Sequence, residues 1–461
     1  MIALVRNITF VLFIITLSLF SSLSKANEIT SQTLSTLQEK ALTSTLAYDL
    51  ADSLTTEVGA RLAGSEGDKK AVVWAEQKMQ SLGFDKIAKQ AVPVRAWQRG
   101  TIRAHVTSPF SHQLAAVALG GSVPTPINGL SAELITFKGI EQLQAAPKEN
   151  IVGKIVYLSQ AITKNKDAAS YGKAIRNRSY GAIEAAKKGA KALLIRSMGT
   201  AKSRYAHTGA VYYQKNLQKI PAAAISTVDA ELLRKLEKYE KPITISLNIQ
   251  TNEKTWQTSY NVIGDIIGSE KPNEIVLLAA HLDSWDLGTG AIDNASGVGA
   301  VLSAANLVKQ LGQPKRTLRV VLFASEEMGL RGAKTYLKEY ENQLSQIVVA
   351  AESDLGAGKI WRLDTRFVDE YITHADDVYK HLMPLGLQRG HNQAFGGPNI
   401  ALLAQSNVPV VSLVQDGTNY FDYHHTANDT FDKLSLKDMQ QNQAVYASFA
   451  FVVANSDMVF K

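Results

Sequence analysis

The sequence predicts an α/β fold: a mainly parallel mixed sheet flanked by helices, with a smaller α/β module inserted into it. Three observations carry this expectation. From Glu274 to Ala351 strand-like apolar runs alternate with helical patterns, the order that builds a parallel sheet. On the helix after the first run, Val298, Val301, Leu302, Ala305, Val308 and Leu311 form one apolar stripe that can cover such a sheet. Between Leu114 and Asn248 a second series of short strand candidates is separated by Gly-, Pro- and Lys-rich connections.

Residues 1–26 contain no acid and carry Arg6, an apolar run from Ile8 to Phe20 and the small-residue pattern of Ser24-Lys25-Ala26. This is the pattern of a signal peptide, and the run is shorter than the roughly 20 residues that span a bilayer. The mature chain is expected to begin near Asn27, exported to the periplasm or secreted, with no stable membrane anchor. The 461 residues include no cysteine, so neither disulfides nor a cysteine-linked lipid can contribute, and stability rests on core packing and metal. Loss of Arg6 and Lys25 with the leader lowers the formal net charge from +7 to +5. The stretches Lys164 to Arg178 and Arg234 to Lys241 mix charge with other residues and read as solvated surface. No basic and aromatic interleaving occurs, which argues against a nucleic-acid partner.

Residues 27–113 open the main domain. Helical spacing over 34–57 turns Leu46, Ala47, Leu50, Ala51 and Leu54 inward. The turn Gly59-Ala60-Arg61-Leu62-Ala63-Gly64-Ser65 precedes a second helix, Asp68 to Leu82, closed by Gly83. Strands are expected around Val92, Val94 and Trp97, and around Ile102, His105 and Val106, and no reaction site is read here. Residues 114–248 form the insert, with strands Ala132 to Thr136, Ile151 to Leu158, Ala192 to Ile195, Ala222 to Ile225 and Ile243 to Leu247, and a helix Ala182 to Lys188. It holds no cluster of ligand-type side chains, so it reads as non-catalytic, and its lone His207 as a surface or hydrogen-bonded histidine.

Residues 249–461 complete the main domain with strand Glu274 to Ala280, helix Ala295 to Leu311, strand Leu318 to Ala324, helix Leu330 to Leu344, strand Ile347 to Ala351 and strand Pro409 to Val414. Each of the first three strands delivers ligand-type groups at its carboxyl end: His281 and Asp283, then Glu326 and Glu327, then Glu352 and Asp354. Like charges converging on one edge need a cation to balance them. With Asp293 after the turn and an imidazole from Tyr423-His424-His425-Thr426, the candidate ligands are His281, Asp293, Glu327, Asp354 and His425.

HLDSWDLGTGAIDNASGVG, FASEEMGLRG, ESDLG and YHHTANDT, in this order, resemble the dizinc exopeptidases of the aminopeptidase and glutamate carboxypeptidase family, and within it the plasma glutamate carboxypeptidase branch. GARLAGS resembles that family's leading segment, and Leu119 through Ser226 its protease-associated insert. The resemblance implies two zinc ions per chain bridged by Asp293, with His281 and Asp354 on one, Glu327 and His425 on the other, and Glu326 as general base. It also implies a cis peptide at Asp293-Asn294, a peptide substrate and a homodimer. Asp283 is expected to orient His281. His424 or Tyr423 is a candidate for stabilising the oxyanion, and Asn399 stands where relatives often carry Asp. Other classes compatible with the fold are an inactive binding protein on a peptidase scaffold and a single-zinc glutaminyl cyclase.

Several residues read more plainly. His374 and His381 fall on a surface helix within Phe367 to Met383, and Trp285 either walls a pocket or plugs the sheet edge. Arg362, Arg366 and Arg389 are candidates for holding a substrate carboxylate. The final helix, Met439 to Ala454, is core rather than membrane, since Gln440 to Gln443 interrupts its apolar run.

Overall fold

The computed structural model describes residues 32–461; the leader expected at 1–26 lies outside the described residues. A large mixed sheet forms the centre, with helices on its faces. Its main part runs in the order Gln388–Arg389, Ile360–Arg366, Val410–Gln415, Ile347–Glu352, Lys271–His281, Arg316–Phe323 and Thr244–Ile266. Four of these, from Val410–Gln415 to Arg316–Phe323, are mutually parallel, and the strands flanking them are antiparallel. The strand Arg316–Phe323 is buried at every residue and Lys271–His281 from Ile275 onward. This suits the near-continuous apolar runs of their sequences, since a parallel sheet is covered on both faces.

The helix Ser296–Lys309 is buried on nearly all sides, and its Gly299 lets the backbone of Ala47 approach where a Cβ would stand 2.3 Å from the Ala47 carbonyl oxygen. The final helix Leu436–Ala454 continues through the amide run that interrupts its apolar pattern. Its buried amides have specific partners. Gln443 donates to the carbonyls of Ala41 and Ser44 and accepts from Ala47 N, joining the helix at 32–43 to Leu46–Ser53. Gln441 bonds both the N–H and the carbonyl of Ile360 at 2.8 Å. Buried polar groups are tolerated on these terms. Among the described residues no helix is long and apolar enough to cross a membrane.

The two short strands expected near Val94 and Val106 are one strand, Lys86–Ser108, paired antiparallel along the whole of Thr244–Ile266 with register shifts that include Arg99/Ile102. This ribbon leads from the main strands to a second group, Leu130–Phe137, Ile155–Leu158, Ala192–Arg196, Ala222–Ile225 and Ala116–Ala118. The expected helix Ala182 to Lys188 is much longer, Ala169–Lys187. Its first half is rich in polar residues and glycine, and the buried Asn177, Arg178 and Ser179 explain why periodicity missed it.

Candidate metal centre

Three parallel strands end side by side, so their carboxyl tips open on one edge of the sheet. The first ends on His281, whose Nε2 stands 3.0 Å from Asp293 Oδ1 and 3.2 Å from Asp354 Oδ1. The second ends at Phe323, and Ser325 takes a left-handed φ of 56°. That turn removes the strand alternation that would send neighbouring side chains to opposite faces. Glu327 therefore reaches His425 Nε2 at 3.0 Å while Glu326 lines the adjoining cavity. His425 also adopts a left-handed φ, 61°, and its Nε2 lies 3.2 Å from Asp293 Oδ2. Asp293 thus stands between the two imidazoles, and the Asp293–Asn294 peptide is cis, as the resemblance implies. Asn294 anchors that bend by donating to Ser353 O at 2.7 Å and accepting from Gly297 N.

The supporting contacts differ in part from expectation. His281 Nδ1 meets the backbone carbonyl of Asp283 at 3.0 Å, whereas the Asp283 carboxylate lies 3.7 Å from it. That carboxylate accepts instead from the backbone N–H groups of Glu326, at 3.0 Å, and Glu327. Asp283 therefore fixes the turn carrying the two glutamates, while its main chain orients the imidazole. Asp429 accepts from Ala291 N and Ile292 N at 2.8 Å, and burial, then the charge of Asp293, pushes its carboxyl up to about 7. Glu352 turns away from the cluster and accepts from Asn399 N and Nδ2 and Ile400 N. An amide suits position 399 because a carboxylate there would face Glu352.

The leading segment contributes more than a flank. Arg61 is fully buried and donates to the carbonyls of Leu282, Thr289, Gly290 and Gly59. Burial draws its guanidinium down to about 10, against the pull of Asp429, Asp283 and Asp293. It holds both ends of the loop between His281 and Asp293. Arg61→Met is expected to cost about 4 kcal/mol by stranding those carbonyls. Calorimetric melting is the check, and an unchanged melting temperature would contradict the assignment.

Of the oxyanion candidates, His424 is brought to the cluster and Tyr423 is not. His424 stacks on His425 with ring centroids 3.5 Å apart, and its Nε2 is 3.6 Å from Asp293 Oδ2. Burial, then the neighbouring His425, holds it well below the usual histidine range. Tyr423 follows the turn Gly417–Asp422, and its side chain faces a different cavity of about 480 Å³ with Lys359 and Lys433. Consecutive residues leaving that turn point to opposite sides. Trp285 lies behind His425, with rings edge-on at 5.6 Å, and abuts Gly120, where a Cβ would come within 1.9 Å of its ring. Gly120→Ala is therefore expected to push Trp285 onto His425 and to destabilise the protein by about 1–3 kcal/mol. Unaltered thermal stability of that variant would contradict it.

The cavity beside the cluster measures about 800 Å³. Its lining includes Glu326 and Asp354 from the loops after two of the strands, His424 from just past the turn Gly417–Asp422, and Tyr171, Arg178 and Tyr212 from the segment expected to be non-catalytic. That segment shapes the site. Arg178, read from sequence as solvated, is 6% exposed, and its Nη1 donates to Tyr171 Oη at 2.8 Å. His207 is buried beneath His425, and burial, then the charge of His425, pulls it down to about 3. Among the three candidate arginines, Arg362 lines the cavity, paired with Asp364 at 2.9 Å, while Arg389 pairs with Asp376. Arg366 is exposed.

The side chains fit a metal. Asp293 Oδ2 and Glu327 Oε1 are buried oxygens with no hydrogen-bond donor. His281, Asp293 and Glu327 form one group with converging ligand atoms, and Asp293, His424 and His425 a second. Of the two adjacent histidines, His425 is closer to both carboxylates. Imidazole and carboxylate donors suit zinc.

Comparison with known proteins agrees with this geometry. The profile of peptidase family M28 matches residues 261–450. Carboxypeptidase Q of Rattus norvegicus is 36% identical over 412 residues, covering 89% of this chain and 86% of that protein. Carboxypeptidase Q of Homo sapiens is 34% identical over 414 residues, with 89% and 86% covered. A crystal structure of a peptidase M28 precursor from Shewanella amazonensis SB2B is similar with a TM-score of 0.92 at 47% identity, over 94% of this chain and 98% of that one. A zinc aminopeptidase from Bacillus subtilis shares the fold, with a TM-score of 0.63 at 21% identity over 90% and 97% of the two chains. The chain belongs to peptidase family M28 and is a metallo-exopeptidase.

Proposed function

We propose that this protein is an exported two-zinc exopeptidase that hydrolyses dipeptides or short peptides next to a free terminus. The observation that carries the reading is Asp293, set between His281 and His425 with one carboxylate oxygen directed at each imidazole. One zinc would be held by His281, Asp354 and Asp293, the other by Glu327, His425 and the same Asp293. Bound zinc supplies a Lewis acid that polarises the scissile carbonyl and lowers the pKa of water.

The chain's own groups do the rest. Glu326 faces the cavity with its backbone N–H fixed by Asp283, placed to take a proton from the attacking water and return it to the leaving amine. His424, neutral and stacked on His425, can donate an N–H toward the oxygen on which charge develops. Tyr171 and Tyr212 roof the cavity from residues 114–248, the segment resembling a protease-associated insert, and restrict it to small substrates. The test is a panel of dipeptides and longer peptides with free, acetylated and amidated ends, assayed before and after chelation. Hydrolysis of unblocked dipeptides, lost on chelation and restored by zinc, is expected. Cleavage of internal bonds in peptides blocked at both ends would overturn the exopeptidase reading.

A further inference from the structure

His425 takes its orientation from outside the strands that build the cluster. Its Nε2 faces Glu327 and Asp293, which leaves Nδ1 to carry the proton, and Nδ1 lies 3.2 Å from the backbone carbonyl of Thr208. The Thr208 N–H returns a bond to the His425 carbonyl at 3.0 Å. The other group beside Nδ1, Arg178 Nη1 at 3.4 Å, is a donor and cannot accept that proton. An imidazole that binds metal through one nitrogen is held by an acceptor on the other, and here that acceptor comes from residues 114–248. Its position therefore depends on what ties those residues to the loop after His281.

Arg99 makes that tie. Its side chain is 9% exposed and grips Asp286 bidentately, with Nε 2.9 Å from Oδ2 and Nη2 2.7 Å from Oδ1. Nη2 also donates to Thr208 Oγ1 at 3.1 Å, and Nη1 donates to the Ala118 carbonyl, which accepts from Thr208 Oγ1 as well. Trp97 and Trp285 lie against the guanidinium, with ring centroids 4.9 and 5.8 Å away. The strand is shaped for this. Gly100 and Thr101 oppose the single Gln250, a bulge of the kind that re-aims a side chain, and a Cβ at Gly100 would overlap the Gln250 carbonyl.

We propose that Arg99 is a positioning residue of the metal centre: by clamping Thr208 to Asp286 it holds the Thr208 carbonyl on His425 Nδ1, so that residues 114–248 complete the site. The proposal rests on the reading of His425 as a zinc ligand and names what keeps its ring in place. Only a fork with several fixed donors can reach a carboxylate, a hydroxyl and a carbonyl at once, so arginine is required where lysine would supply the charge alone. Without the clamp Thr208 keeps its own hydrogen bond to Ala118, but nothing joins the pair to Asp286.

Chelator competition on the zinc-loaded protein gives the stepwise zinc affinities of the wild type, Arg99→Gln, Arg99→Lys and Thr208→Val. Arg99→Gln is expected to weaken one zinc about 10–100-fold, the scale of losing a group that supports a ligand, and the other by less than about threefold. Arg99→Lys should recover part of the loss. Nuclear magnetic resonance of the same proteins carrying isotope-labelled histidine follows the Nδ1–H protons of His281 and His425. In Arg99→Gln one should exchange with water at least about tenfold faster and the other as in the wild type, a split that general loosening of the fold does not produce. Zinc affinities and exchange unchanged in Arg99→Gln, or both zincs weakened alike, would overturn the proposal. If Arg99→Gln does not fold, Thr208→Val decides, since it removes the hydroxyl that Arg99 grips and keeps the carbonyl. One zinc weakened about three- to tenfold, the worth of one hydrogen bond, upholds the clamp, and wild-type affinity for both overturns it. A wild type that binds a single zinc would remove the two-metal reading, while faster exchange of the His425 proton in Arg99→Gln would still uphold the clamp.

Discussion

Replacing Glu326 by Gln is expected to lower kcat by at least about a hundredfold with zinc content and KM little changed, because positioned proton transfer contributes on that scale. The residue is suited to such a test. It is half-buried, lines the cavity, and among the described residues makes no side-chain hydrogen bond or ion pair, so exchange of an oxygen for an amide nitrogen removes the proton-accepting group without cutting a structural tie. Its neighbour Glu327 instead touches His425 and belongs to the proposed ligand set. Steady-state kinetics on an unblocked dipeptide, with metal analysis of the same sample, is the measurement. A loss below about tenfold with zinc retained would remove Glu326 from its role.

Asp293→Ala should be the most damaging ligand substitution. Each of His281, Asp354, Glu327 and His425 is assigned to one metal, but Asp293 faces both imidazoles, and its removal leaves two groups of ligands with nothing between them. Loss of partners that merely support a ligand costs about 10–100-fold in metal affinity, and loss of a bridging ligand should exceed that. Asp293→Ala is expected to retain less zinc than Asp354→Ala or Glu327→Ala after identical dialysis. If it holds as much, Asp293 does not bridge.

Much of the framework was readable because the sheet's centre is parallel and buried. Its strands are apolar runs ended by polar residues, and within three residues of those ends lie His281, Glu326, Glu327 and Asp354, which the structure gathers. The strand Ile360–Arg366 escaped notice because Arg362 and Asp364, charged residues within it, pair with each other and mimic a loop. The roof of the site was hidden for a different reason. Arg178 lies in a stretch of ordinary surface composition, and only the long ribbon of Lys86–Ser108 and Thr244–Ile266 carries that stretch across to His425. Arg61 likewise has meaning only once the loop after His281 has folded around it. Tyr423 and His424 show the limit of motif position, since one residue in a turn separates a side chain in the cluster from one facing another cavity.

Asp293 can join two metals only if two are bound, so the metal count decides whether it bridges. Elemental analysis of protein purified without chelator and dialysed against trace zinc should give two zinc ions per chain, falling to fewer in Asp293→Ala. A single zinc per chain in the active wild-type protein would contradict the two-metal account and favour the one-zinc chemistry of a cyclase on the same fold.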